Sequence, residues 1–109
     1  MLNWILLLVA VAFEIGWPLG FKMSTLHPDR SWLWIVLGML SYALSGVFLY
    51  FAQRTIPIST AYIVWTGAGS VVTFLLGIGL FGDVATISRL FFAFLIIVGI
   101  VGLQVTAKT

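Results

Sequence analysis

The chain has 109 residues, of which 62% are hydrophobic and only 7% charged. An ordinary soluble domain carries about a quarter charged residues, and a chain this short cannot hide so much apolar surface in water, which excludes a soluble globular fold. A net charge of +2 is too small to support nucleic-acid binding, and the lack of cysteine excludes a disulfide or thiolate-metal scaffold.

A membrane-spanning helix needs about 20 mostly apolar residues. Four stretches meet that need: residues 2–21, 31–53, 57–81 and 87–106. The breaks between them are short and polar: Lys22 to Arg30, Gln53 to Pro57, and Gly82-Asp83 running on to Arg89. Barrel strands would alternate apolar and polar residues over about ten positions, whereas these runs are continuous. The predicted fold class is an all-α membrane protein of four transmembrane helices, one domain over residues 1–109. The first segment reads as a retained span, because it lacks a basic n-region and holds a carboxylate in its middle.

That carboxylate, Glu14, is the acidic residue inside a predicted span; Asp29 and Asp83 fall in loops. An ionisable group at membrane depth is costly and marks a functional site by default. There it can hold a proton or balance a cation, which is the minimum equipment for exchanging one for the other. Trp17 and Pro18 follow at i+3 and i+4 on the same face. Trp17 offers an indole N–H to the carboxylate, or simply packs. Pro18 has no N–H, which leaves the Glu14 carbonyl without its helical partner.

The second helix gathers Gly38, Ser41, Tyr42, Ser45 and Gly46 on one side. Small residues let membrane helices approach closely, and hydroxyls bond across such contacts. Whether Ser45 also reaches Glu14 does not follow from spacing. The third helix places Tyr62, Trp65, Thr66 and Gly69 on one face at i, i+3, i+4 and i+7. Tyr62 and Trp65 are a pair suited to stacking on an organic cation, or else part of an interfacial aromatic belt. Gly67 and Gly69 weaken the helix at a defined point and are the expected hinge. The fourth helix, with Ala93, Gly99 and Gly102, has no ionisable group after Arg89 within the span, and reads as a packing or dimerisation helix.

Four spans put both termini on one side. The side with Lys22, Arg30 and Arg89 then carries three basic residues, and the other carries Arg54 and Lys108. Orientation follows the Lys/Arg bias of short loops, and so small a bias permits insertion both ways and an antiparallel dimer. A different class of function, a passive pore or a non-transporting assembly subunit, fits the residues less well. A pore needs a continuous polar lining, and an assembly subunit has no use for Glu14.

These residues resemble the small multidrug resistance family over nearly the whole chain. The resemblance rests on Glu14 with Lys22 at the end of its helix, on the block Thr60-Ala-Tyr-Ile-Val-Trp-Thr-Gly-Ala-Gly69, and on the four-helix plan. It implies a proton-coupled exporter of organic cations in the cell membrane, working as an antiparallel, dual-topology homodimer with paired glutamates, or as a heterodimer with a paralogue. It assigns Glu14 as the shared proton and substrate site and Trp17, Ser45, Tyr62 and Trp65 as its lining. It also makes Gly67 and Gly69 the bend of helix three, and the fourth helix, with Gly99 and Gly102, the dimer contact. No metal or cofactor is implied. Trp17, Ser45 and the Trp65-Thr66-Gly67 triplet are similar to the guanidinium-exporting branch, with Trp17, Ser45 and Tyr62 expected as a network about Glu14. The other branch exports quaternary ammonium and aromatic cations. Val11, Pro18, Ser59, Ile63 and Gln104 depart from the guanidinium branch's usual residues, and Val11 and Ile63 are expected to flank the site.

Overall fold

A computed structural model describes residues 2–106 and contains four long helices: α1 (Leu2–Leu26), α2 (Ser31–Gln53), α3 (Ile58–Phe81) and α4 (Ile87–Thr106). Each is long and apolar enough to cross a membrane. Lys108, counted above for orientation, lies outside the described residues.

Helix α1 runs past the predicted polar break at Lys22 and stops at Leu26. Nothing between Lys22 and Leu26 breaks a helix. Ser24 and Thr25 donate their hydroxyls to the carbonyls of Phe21 and Lys22, each at 2.6 Å, inside the last turns. The stop comes from Pro28, because a residue before proline is pushed out of the helical region. His27 has φ −127° and ψ 73° accordingly, and a single 3-10 turn, Pro28–Arg30, leads into α2. Pro57 opens α3 in the same way, extended at ψ 137°. At the far end of α3, Gly82 takes φ 71°, a left-handed conformation that favours glycine. The chain then folds back, and the Asp83 N–H donates to the Gly77 carbonyl at 3.0 Å. Thr86 starts α4 by accepting the Arg89 N–H at 3.2 Å on its hydroxyl, a helix N-cap arrangement.

The helices α1 and α2 form the most extensive contact, α1 also packs on α3, and α4 touches α3 alone among the described helices. The α1–α2 seam depends on small residues. A Cβ at Gly20 would stand 2.8 Å from the Trp34 carbonyl oxygen and 3.0 Å from the Gly38 Cα. Two hydroxyls bond across the seam into the α1 backbone: Ser41 to the Phe13 carbonyl and Ser45 to the Ala10 carbonyl, both at 2.6 Å. Gly46 borders open space and takes no part.

The buried core lies at one end of the bundle. Leu7, Ala10 and Val11 of α1 meet Ala61, Val64 and Trp65 of α3, with Ala52 and Ile56 beside them. This is the end at which α2 gives way to α3. The other half of the bundle, toward Lys22, Asp83 and Arg89, has no comparable filling. None of the described residues of α4 is buried.

Candidate functional site

Glu14 sits on α1 one turn beyond the core. Trp17, one turn further on, donates its indole N–H to Glu14 Oε1. The Trp17 ring is itself held edge-on between Phe21 and Tyr42, with centroids 5.7 Å away in each case. The other oxygen, Glu14 Oε2, is buried and has no hydrogen-bond partner among the described residues. A buried acceptor left unpaired costs about 1–3 kcal/mol, more if charged, so the carboxylate is only half provided for by its own chain.

Gly69 is what lets α3 approach this group. A Cβ at that position would stand 2.7 Å from Glu14 Cγ, closer than real Cβ contacts come. Gly67 has a different neighbour: its face lies under Ile100 of α4, with a hypothetical Cβ 3.0 Å from the Ile100 Cδ1. The two glycines thus clear opposite faces of α3, one for the acid and one for α4. The helix itself is continuous through both.

A cleft of about 560 Å³ opens from Glu14 between α1, α3 and the start of α4. Trp17 and Pro18 form its α1 wall; Thr66, Gly69, Ser70 and Thr73 form its α3 wall; Asp83 and Arg89 stand at its mouth. Thr66 donates its hydroxyl proton to the Tyr62 carbonyl at 2.8 Å, and Ser70 donates to the Gly67 carbonyl at 2.9 Å. Each hydroxyl oxygen therefore retains lone pairs for an N–H donor. Pro18 leaves the Glu14 backbone carbonyl without an i+4 donor. Ser70 and Thr73 are not among the site residues expected from the sequence. Their signal was available, since 66, 69, 70 and 73 repeat at i, i+3, i+4 and i+7.

Three of the predicted lining residues lie elsewhere. Ser45 does not donate to Glu14: its hydroxyl proton goes to the Ala10 carbonyl, and its oxygen accepts the Trp65 indole N–H at 2.7 Å. Trp65 is 8% exposed and belongs to the core, so its ring is not open to a cation from this cleft. Tyr62 leans on Trp65 at 5.7 Å but is 54% exposed, on the outside of the subunit. The network expected around Glu14 thus reduces to Trp17. The physical reason is that Ser45 finds a nearer acceptor across the α1–α2 seam, and Trp65 then uses Ser45 as its own acceptor. Of the two substitutions expected to flank the site, Val11 is in the core and Ile63 is exposed. Gly99 and Gly102 border open space on α4.

The Ala10–Ser45–Trp65 chain ties three helices together. Ser45→Ala leaves the buried Trp65 N–H without an acceptor and should lower stability by about 1–3 kcal/mol. Ser41→Ala removes a hydroxyl that accepts from no described residue and should cost about 0.5–1.5 kcal/mol. Unfolding in detergent micelles checks the difference, and equal losses would remove the special role of Ser45.

The family model described as "Small Multidrug Resistance protein" matches residues 2–96. A protein named "Guanidinium exporter" from Yersinia pseudotuberculosis is 36% identical over 104 residues, covering 95% of this chain and 98% of that one. Proteins of the same name from Salmonella typhimurium and Proteus vulgaris are 36% and 38% identical, over 97% of this chain and 99% and 100% of theirs.

Proposed function

Because this chain belongs to the small multidrug resistance family, we propose that it is a proton-coupled antiporter that exports guanidinium or small substituted guanidines, protons and substrate taking turns on Glu14. It is a multi-pass protein of the inner membrane. The observation that carries the reading is the half-provided carboxylate: Trp17 holds Oε1, while Oε2 is buried without a partner. A proton or a cation with N–H donors satisfies that oxygen, and one displaces the other.

The wall of the cleft favours guanidinium over a quaternary ammonium ion. Guanidinium is planar and carries N–H donors in fixed directions, so it rewards an ordered set of acceptors. Thr66 and Ser70 provide acceptors in the same cleft as the carboxylate. A quaternary ammonium ion has no N–H and gains nothing from them. The names of the relatives agree with this preference.

The working unit in this reading is an antiparallel homodimer, or a heterodimer with a paralogue. Helix α4 has no buried residue among those described, and Gly99 and Gly102 leave its backbone open to close approach. The exposed Tyr62 is then free to line a chamber shared with the partner, and α3 bends at the level of Gly67 and Gly69 as that chamber changes access. Reporter tags at the C-terminus are expected on both sides of the membrane; a single location would remove dual topology.

The exchange itself is tested in liposomes loaded with a pH-sensitive dye. Guanidinium added outside should drive proton movement, and tetraethylammonium at the same concentration should drive at least about tenfold less, as for a site built to hydrogen-bond its ligand. Equal responses would favour the broad quaternary ammonium exporter. No proton movement with either cation would sink the antiporter and leave a pore or an assembly subunit.

A further inference from the structure

We propose that Arg89 is a specificity-determining residue: a fixed cation at the mouth of the Glu14 cleft that excludes substrates carrying a second positive charge. The proposal rests on the reading of Glu14 as the guanidinium site.

Arg89 lines the same cleft as Glu14 from the first turn of α4, at the loop end of the bundle. Its guanidinium stands 5.3 Å from the centre of the Phe74 ring, whose face holds a cation in place. Glu14 meets α3 at Gly69. From Gly69 to Phe74 is five residues, or about 7.5 Å along the α3 axis at 1.5 Å per residue. A substrate whose first charge is on Glu14 and whose second is at the end of a four-carbon tail would bring that second charge close to Arg89.

The other charges near the mouth do not cancel Arg89. Asp83 lines this cleft too, but its carboxylate is folded against Gly77, toward an adjoining cleft that Lys22 also lines. Arg89 forms no salt bridge among the described residues, where Arg30 with Asp29 at 3.6 Å is the pair present. Within the cleft that Glu14 lines, Asp83 and Arg89 are the other charged residues, and the turn of Asp83 toward Gly77 keeps the two from pairing. Repulsion between like charges at this range acts on the second charge of a dication and is absent for a neutral tail.

The test compares two competitors of equal length against guanidinium exchange in liposomes: n-pentylguanidine and 4-aminobutylguanidine, which carries an ammonium in place of the terminal methyl. The ratio of their half-inhibiting concentrations is read within each variant, so the variant's basal rate does not enter. In the wild type the charged tail should compete at least about tenfold less well. Arg89→Gln should bring the ratio within about threefold of unity, and Arg89→Lys should keep it near the wild-type value. A ratio unmoved by Arg89→Gln, or collapsed equally by Arg89→Lys, overturns the proposal. A measurement on the native chain stands beside these in case Arg89→Gln inserts poorly. Raising the salt from about 0.02 to 0.5 M shortens the screening length to about 4 Å and should narrow the ratio; an unchanged ratio counts against Arg89. If guanidinium drives no proton movement at all, the reading of Glu14 fails first, which is a separate outcome.

Discussion

Glu14→Gln is expected to abolish guanidinium-driven proton movement, with a loss of at least about a hundredfold, as for removal of a buried charge that pairs with the ligand. The substitution is nearly isosteric. The amide oxygen of Gln can still accept the Trp17 indole N–H, so local packing has every reason to survive. What changes is the second position. Oε2, buried and unpartnered, is replaced by an amide NH2 whose donors face a substrate that has only donors. The variant also has no proton to give up, so both halves of the exchange are lost together. Guanidinium binding followed by tryptophan fluorescence should disappear along with transport. Exchange that persists above about a tenth of the wild-type rate would show that the carboxylate is not where proton and substrate meet.

Gly69→Ala should be nearly as damaging, although it adds one methyl group. Its Cβ would stand 2.7 Å from Glu14 Cγ and 3.5 Å from Glu14 Cβ. Either α3 backs away from α1, or the acid rotates and gives up Trp17. Both separate Glu14 from the acceptors on Thr66 and Ser70, and a loss of at least about tenfold in exchange is expected, in line with a displacement of about 1 Å at a reacting group. Gly79→Ala is the matched control. Nothing lies within 4 Å of that position, so the added methyl meets only open space. Exchange by Gly79→Ala should stay within about twofold of wild type, since a surface helical Gly→Ala change is neutral or mildly stabilising. Equal loss in both variants would mean that α3 requires flexibility along its length rather than clearance at Glu14.

Much of the fold was legible because the membrane simplifies it. Long uncharged runs leave helices as the spanning structure, and the loops reveal themselves by charge and proline. The end of α1 was misread because polarity and helix stability are different signals. Lys22, Ser24 and Thr25 leave the apolar zone, yet the Ser24 and Thr25 hydroxyls bond back to the backbone and the helix persists until Pro28 intervenes. The pair Glu14 and Trp17 was readable because both lie on one helix at i and i+3. The partners of Ser45 and Trp65 were not, since they depend on how α1, α2 and α3 are aligned against one another, and no spacing within a single helix encodes that. The polar edge of α3 was readable in principle. Tyr62 and Trp65 occupy part of the same broad face and drew the reading toward aromatics, while Ser70 and Thr73 continue it into the cleft. Asp83 looked like an ordinary solvated loop residue until the left-handed turn at Gly82 folded it back to the mouth.

The lopsided placement of the core has a thermodynamic consequence. One chain is filled at its Arg54 end and open at its Arg89 end, so by itself it is biased toward one side of the membrane. In the antiparallel pair proposed above, the second copy carries the opposite bias. The two conformations of such a pair are related by exchanging the roles of identical subunits, and they have the same intrinsic free energy. No ratchet is then built into the protein. The direction of net transport comes entirely from the gradients on either side, and reversing the proton gradient across a liposome would run the same molecule backwards at comparable speed.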